Sequence, residues 1–342
     1  MASLDPADSS TSVPEKKVTL TNWVRLNNAP LLQPRASAVQ WNDYVFVLAS
    51  DGTALLYHTK LKLWSMLPKC PYRMTSNVPL VNYKGEIHAA SSYSGMFAFD
   101  VATSSWKNLS KPAEGEIISI AVNGNALHAY MYVCIKTKST QTYPPQTPAL
   151  FLQTIKEWKK QDLGVNELGS KILLTSKHLF IETNKVIYRQ KISNAFEPIE
   201  PPKEIAPPPY KAFTLHVLKD TLLSFGGRDE DNQPTSDVLR YNPDTDTWES
   251  AGYMRSARYN VAVATVQQDT TTEVYVLGGE FGSTKLKMTP KLHVQTEACT
   301  RTHAKSKMTP KLHTSIEPTP TDKTPANWDC STSIIEKCTL SD

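Results

Sequence analysis

The sequence predicts an all-β fold made of repeated units of about 40 to 50 residues, and three observations predict it. An aromatic residue, six residues and a tryptophan recur as Tyr57 and Trp64, Phe99 and Trp106, Phe151 and Trp158, and Tyr241 and Trp248. A worn copy has Tyr188 and Phe196, and Trp23 stands where a further copy ends, so the copies close at 23, 64, 106, 158, 196 and 248. A period of that size means a propeller or a solenoid. The second observation is a short apolar run ahead of each pair: Val45–Val47, Ile87–Ala89, Leu127–Ala129, Leu179–Ile181, Leu222–Ser224 and Val274–Val276. The third is the turn chemistry before these runs, Asn42-Asp43, Lys84-Gly85, Asn123-Gly124 and Lys219-Asp220, which suits tight strand connections.

In chain order, residues 1–17 are polar and rich in Ser, Asp and Pro, and are expected to be disordered. Residues 18–282 carry the repeats. Each apolar run is read as an inner strand and each Trp or its substitute as an outer strand, giving six units. Gly226-Gly227 and Gly278-Gly279 end two of the runs, where glycine admits close backbone approach or positive φ. The run at 258–279 lacks an outer strand of its own, and Trp23 is expected to supply it, which removes an open sheet edge. Its third strand is expected from Lys291–Gln295 or to be missing, because no Tyr or Phe follows Phe281.

The apolar run, Gly-Gly and aromatic-x6-Trp together resemble the kelch repeat. Asp237–Trp248 (DVLRYNPDTDTW) and Val274–Gly279 (VYVLGG) carry the likeness most strongly, and it extends over roughly residues 22–282. The resemblance implies a six-bladed β-propeller, one four-stranded blade per repeat, with the last blade closed by the strand around Trp23. Residues 283–342 are expected to be a low-complexity, basic, Thr/Pro-rich, disordered tail. The heptapeptide KMTPKLH occurs there twice, at Lys287–His293 and Lys307–His313, as a doubled linear motif or as a solvated passenger. Four Thr-Pro steps, at Thr289, Thr309, Thr319 and Thr324, are candidate phosphorylation sites.

Composition narrows function. The formal charge of +4 is too mild for a dedicated nucleic-acid binder, and no stretch approaches the roughly 18 apolar residues of a membrane span. Five scattered cysteines and no apolar leader suit a reduced, cytoplasmic or nuclear protein. No Gly-rich phosphate loop, G-x-S-x-G elbow or H-E-x-x-H is present. His88 and His128 recur in phase, but other units place Phe46, Phe180, Leu223 and Tyr275 there, so the position is read as packing and no metal or cofactor is expected.

The expected function is therefore a non-catalytic interaction module, a monomer that binds another protein through propeller loops. The alternatives are a kelch-fold enzyme, like galactose oxidase or a sugar epimerase, or a substrate-recruiting adaptor for a ubiquitin ligase acting through a separate partner. Candidate partner-binding residues are Arg35, Arg73, Lys211, Arg255 and Arg258, which recur where one blade passes to the next, and Arg228, Asp229 and Glu230 after the first Gly-Gly. Kelch proteins that bind acidic peptides gather arginines from such places, and Arg suits the task because its guanidinium holds carboxylates bidentately. The alternative is that each Arg pairs with an acid of its own neighbourhood. Two further segments stand out, the basic loop Cys134–Pro148 and the proline-rich Glu197–Pro209, read as a polyproline II ligand or a stiff spacer.

Overall fold

The computed structural model describes residues 18–26, 35–74, 78–110, 115–123, 126–134, 146–153, 158–161, 163, 165, 169–183, 185–193, 197–268, 271–281 and 335–341. The N-terminal 17 residues, most of the Cys134–Pro148 loop, Phe196, Lys291–Gln295, both KMTPKLH copies and the four Thr-Pro steps lie outside these residues. The strands are β1 (Thr19–Arg25), β2 (Ser37–Trp41), β3 (Tyr44–Leu48), β4 (Ala54–His58), β5 (Leu63–Met66), β6 (Leu80–Tyr83), β7 (Glu86–Ser91) and β8 (Gly95–Asp100). Next come β9 (Ser105–Leu109), β10 (Gly115–Asn123), β11 (Ala126–Cys134), β12 (Gln146–Gln153), β13 (Trp158–Gln161), β14 (Gly169–Leu174), β15 (His178–Thr183) and β16 (Ile187–Lys191). The last are β17 (Lys203–Ile205), β18 (Thr214–Leu218), β19 (Thr221–Arg228), β20 (Pro234–Asn242), β21 (Thr247–Tyr253), β22 (Ala262–Gln268), β23 (Thr271–Leu277) and β24 (Ile335–Ser341).

These strands form six four-stranded antiparallel sheets, five of them running in simple sequence order. The sixth has the order β1-β24-β23-β22, so the chain's first strand is its outer strand, as the sequence predicts. The innermost strands β2, β6, β10, β14, β18 and β22 neighbour one another in turn, and β22 packs beside β2 to close the ring. The molecule is a six-bladed β-propeller. Among the described residues no helix is long and apolar enough to cross a membrane.

The physics of burial explains the apolar runs. Val45, Val47, Leu55 and Tyr57 of the first blade pack against Ala264, Tyr275 and Leu277 of the sixth, while Phe46 and Leu48 pack against Ile87, Phe97 and Phe99 of the second. Each sheet is thus covered on both faces, and its middle strands are apolar without alternation. The core is six wedges, one between each pair of neighbouring blades. The six apolar runs are the second strand of each blade rather than the innermost one. The strands inside them face a channel and carry Ser37, Gln40, Asn82, Ser119, Lys171, His216 and Thr265.

Tryptophan at the outer strand has a specific task. The Trp106 indole N–H donates to the Pro68 carbonyl at 2.9 Å and that of Trp248 to the Ala206 carbonyl at 2.8 Å, each tying its blade to the one before. Tyr57 faces Trp64, Phe99 faces Trp106 and Tyr241 faces Trp248 across their hairpins, with ring centroids 4.9, 4.8 and 5.5 Å apart. The turns behave as read: Lys84 and Gly85, and Lys219 and Asp220, all take positive φ, the geometry of type I′ hairpins.

The structure corrects three expectations. In the third blade Trp158 lies opposite Gln153, not Phe151, because that hairpin turns further along the chain; Phe151 and Trp158 still share one core. In the fourth blade the outer strand is Lys203–Ile205, facing Ile187–Arg189, rather than the segment at Phe196. The proline-rich stretch is therefore neither ligand nor spacer throughout. Three residues between its proline clusters keep their N–H groups, and Ile205 is buried with Phe180 and Tyr241. Third, Ile335–Ser341, read as part of the tail, is the missing third strand of blade six, pairing with β23 on one side and β1 on the other. Ile335 enters the wedge toward blade one and Cys338 the wedge toward blade five.

Candidate functional site

Antiparallel alternation decides where the predicted residues go. The connection from an outer strand to the next blade, and the connection between second and third strands, emerge on one face. Arg35 precedes β2, Arg73 precedes β6, Lys211 precedes β18, and Arg255 and Arg258 precede β22; Arg228, Asp229 and Glu230 link β19 to β20. The topology therefore carries all eight backbones to the same face.

Two of them meet in one network. Arg228 stacks on Tyr259, its guanidinium carbon 3.7 Å from the ring centroid, and donates to the Tyr259 hydroxyl. That hydroxyl donates to Glu280 at 3.0 Å, and the Asn260 amide donates to the other Glu280 oxygen at 2.9 Å. Arg35 lies 3.7 Å from the same carboxylate, with half of its side chain exposed. Burial, more than its partners, pushes the Tyr259 hydroxyl up, so it stays a neutral donor. Blades five, six and one are joined at their rims by this network.

Sequence reasoning missed Tyr259, Asn260 and Glu280, although a signal was there. Glu280 follows Gly278-Gly279 just as Arg228 follows Gly226-Gly227, and the two make equivalent bridges, Arg228 with Lys211 and Glu280 with Tyr259. The glycines are required by the approach of the next connection. Gly226 has φ +58, and a Cβ there would stand 2.0 Å from the Arg258 carbonyl oxygen.

Arg73 stands apart from that network. Its guanidinium lies 4.2 Å over the ring of Tyr93, which is 60% exposed, and its carbonyl accepts from Ser91 and Ser94 at 2.9 and 2.8 Å. Lys211 and Glu230 are exposed, while Asp229 accepts from the Gln233 N–H at 2.8 Å and so holds its own turn. Arg255 is exposed, and its backbone N–H donates to Glu336 at 2.9 Å.

Arg258 is corrected: it is not a surface residue. Its side chain is fully buried and pairs with the equally buried Glu336 of β24 at 3.2 Å, while also donating to the Gly278 carbonyl at 3.0 Å. Glu336 accepts in addition from the Ser256 hydroxyl. Burial pulls the Arg258 guanidinium down to about 10, against the opposing pull of Glu336, so it remains a cation at neutral pH. The arginine predicted to hold a partner's carboxylate holds one supplied by the chain itself.

The central channel encloses about 1110 Å³. Among the described residues its titratable lining is Lys171, Glu182 and His216. Lys171 donates to the Leu215 carbonyl at 2.7 Å, and a His216 ring nitrogen sits 2.7 Å from the Thr265 hydroxyl. Burial lowers Lys171, raises Glu182 and draws His216 down to about 3, so the imidazole is neutral. These groups brace blades four, five and six against one another. Among the described residues no three His, Cys, Asp or Glu side chains gather in a metal-binding cluster.

Comparison with known proteins agrees with this geometry. Residues 209–255, spanning all four strands of the fifth blade, match the family described as Kelch motif. No curated protein matches. A solved structure titled "Structure of YjhT" superposes with a TM-score of 0.55, covering 75% of this chain and 93% of that one at 12% identity, a likeness of fold alone.

Proposed function

We propose that this kelch-repeat propeller is a non-catalytic interaction module that binds a partner protein across the face bearing Arg35, Arg73, Lys211, Arg228 and Arg255. The observation that carries this reading is that one face holds both the exposed Arg73–Tyr93 pair and, apart from it, the Arg35–Glu280–Tyr259–Arg228 network with its exposed Arg35. Stacking and ion pairing hold these side chains before a partner arrives, which reduces the entropy lost on binding. The exposed charge outside the turn acids is positive, so an acidic segment is the matching partner chemistry.

The enzyme reading has the channel as its seat, but Lys171 and His216 are engaged by neighbouring blades. The test is capture from cell extract with the wild type and with Arg35→Ala, Arg73→Ala and Arg228→Ala combined, after equal melting temperatures are confirmed. A partner retained by the wild type and lost by the variant supports the reading. Equal capture by both places binding elsewhere and defeats it.

A further inference from the structure

One position of the repeat is filled differently in blade four. The residue that follows the apolar run of a second strand pairs across the ladder with a residue of the innermost strand. In blade one that pair is Ser37 and Leu48, in blade five Thr214 and Phe225, and in blade six Ala262 and Leu277. Each joins a small residue lining the channel to a large buried apolar one. In blade four the pair is Lys171 and Glu182, and both side chains line the channel, half-buried. Three other blades pack with no charge at this position, so packing does not explain the exchange. Removing two charges from water costs free energy, and charged groups held in that way in a cavity mark a site.

The surroundings of Lys171 suit a nucleophilic amine. Its Nζ donates to the Leu215 carbonyl at 2.7 Å, which fixes the nitrogen at the channel wall. Burial lowers its pKa against the opposing pull of Glu182, so the neutral amine forms more readily than on an exposed lysine. The channel, of about 1110 Å³, has room for a small organic molecule, and Val39, Val81, Leu173 and Val217 make parts of its wall apolar. Lys171 and Glu182 balance, and His216 is neutral, so the described lining carries no net charge to attract an anion.

We propose that the channel is a binding site for small uncharged aldehydes or ketones, held covalently by Lys171 as a Schiff base. The amine nitrogen attacks the carbonyl carbon, the C=O π pair moves to oxygen, and the resulting carbinolamine loses water to form the carbon–nitrogen double bond. Of the three hydrogens on the ammonium, two leave with the oxygen as water and one stays on the iminium nitrogen. Charge is conserved, and no oxidant or reductant takes part. The remaining N–H still donates to the Leu215 carbonyl, and Glu182 is the counter-ion of the iminium. Hydrolysis reverses the step, so this is capture rather than turnover. The site lies in the channel, apart from the arginines of the loop face, and its test stands independently of the partner-binding reading.

The test is reductive labelling of the folded full-length protein with propanal and sodium cyanoborohydride at neutral pH, stopped at partial reaction and read by peptide mass mapping. The exposed Lys62, Lys69 and Lys211 serve as internal standards. Lys171 is expected to gain its propyl group on the order of tenfold faster than these standards, as an amine activated by desolvation does, and to lose that excess once the protein is unfolded in guanidinium. Glyoxylate, a small aldehyde bearing a carboxylate, is expected to give a smaller excess. Labelling of Lys171 at or below the rate of the standards overturns the proposal, as does an excess that survives unfolding. An equal excess with glyoxylate overturns the assignment to uncharged carbonyl compounds.

Discussion

Removing the carboxylate of Glu336 tests whether blade six is held by its buried pair. Glu336 and Arg258 are both fully buried and 3.2 Å apart, and Glu336 also takes the Arg255 N–H and the Ser256 hydroxyl. Glu336→Ala leaves a cation in the interior without its counter-ion, at a cost of about 3–5 kcal/mol. For a domain of this size that is a fall in melting temperature on the order of 10 °C. Arg258→Met, which strands the carboxylate instead, is expected to cost a similar amount, softened by the two other donors. Arg258→Met with Glu336→Leu removes both charges and leaves the Arg255 N–H, the Ser256 hydroxyl and the Gly278 carbonyl without these partners, for about 2–4 kcal/mol. The double variant should therefore be more stable than the sum of the singles by at least about 2 kcal/mol. Urea unfolding followed by tryptophan fluorescence measures all four proteins, since Trp23 packs against this wedge. Singles costing under about 1 kcal/mol and adding linearly would falsify the view that the pair holds the blade shut.

Further predictions follow from packing and titration. Gly226→Ala, which forces a Cβ to within 2.0 Å of the Arg258 carbonyl at φ +58, should destabilise by about 3 kcal/mol or more, read as melting temperature. Trp248→Phe, which deletes the 2.8 Å hydrogen bond to Ala206, should cost about 1–2 kcal/mol, and a smaller loss would mean the indole acts by bulk alone. His216 is held at about 3 against a free value of 6.5, so the unfolded chain takes up the extra proton between those values. Its contribution to stability is intact above pH 6.5 and falls as the pH is lowered toward 3, by about 2–3 kcal/mol for a ring that still meets channel water. His216→Gln should flatten the acid limb of the stability–pH curve. Cys70 and Cys338 are buried, with thiols pushed up to about 11 and about 12, and should resist iodoacetamide until the protein is denatured.

The ring and its six-fold count were legible because each wedge between blades imposes two-sided burial on a short run and places a tryptophan at a fixed distance. Where that demand relaxed, the reading slipped. Blade four keeps Tyr188 but builds its outer strand from Lys203–Ile205, which has no aromatic residue. β24 lacks aromatic residues too, and its only sequence signal is an apolar patch, Ile334-Ile335, with Cys338 and Leu340, far beyond the last repeat. The candidate face was legible as a position in the repeat, since the backbone path fixes which loops share a side. Which arginine is exposed was not, because that depends on whether a distant segment supplies an acid. Arg255 and Arg258 stand three apart, and only a strand formed from residues 335–341 separates their fates.

The sheet order β1-β24-β23-β22 also constrains the path of biosynthesis. Of the described strands, the one that flanks the seam is translated first and its neighbour last. Five blades can assemble while β1 has no strand to pair with, and the nascent ring carries two open sheet edges until the segment at 335–341 emerges. During synthesis the seam therefore cannot close before the segment at 335–341 has emerged, and edges left open are prone to misassembly. A premature stop upstream of Ile335 leaves almost the entire propeller made and its seam open.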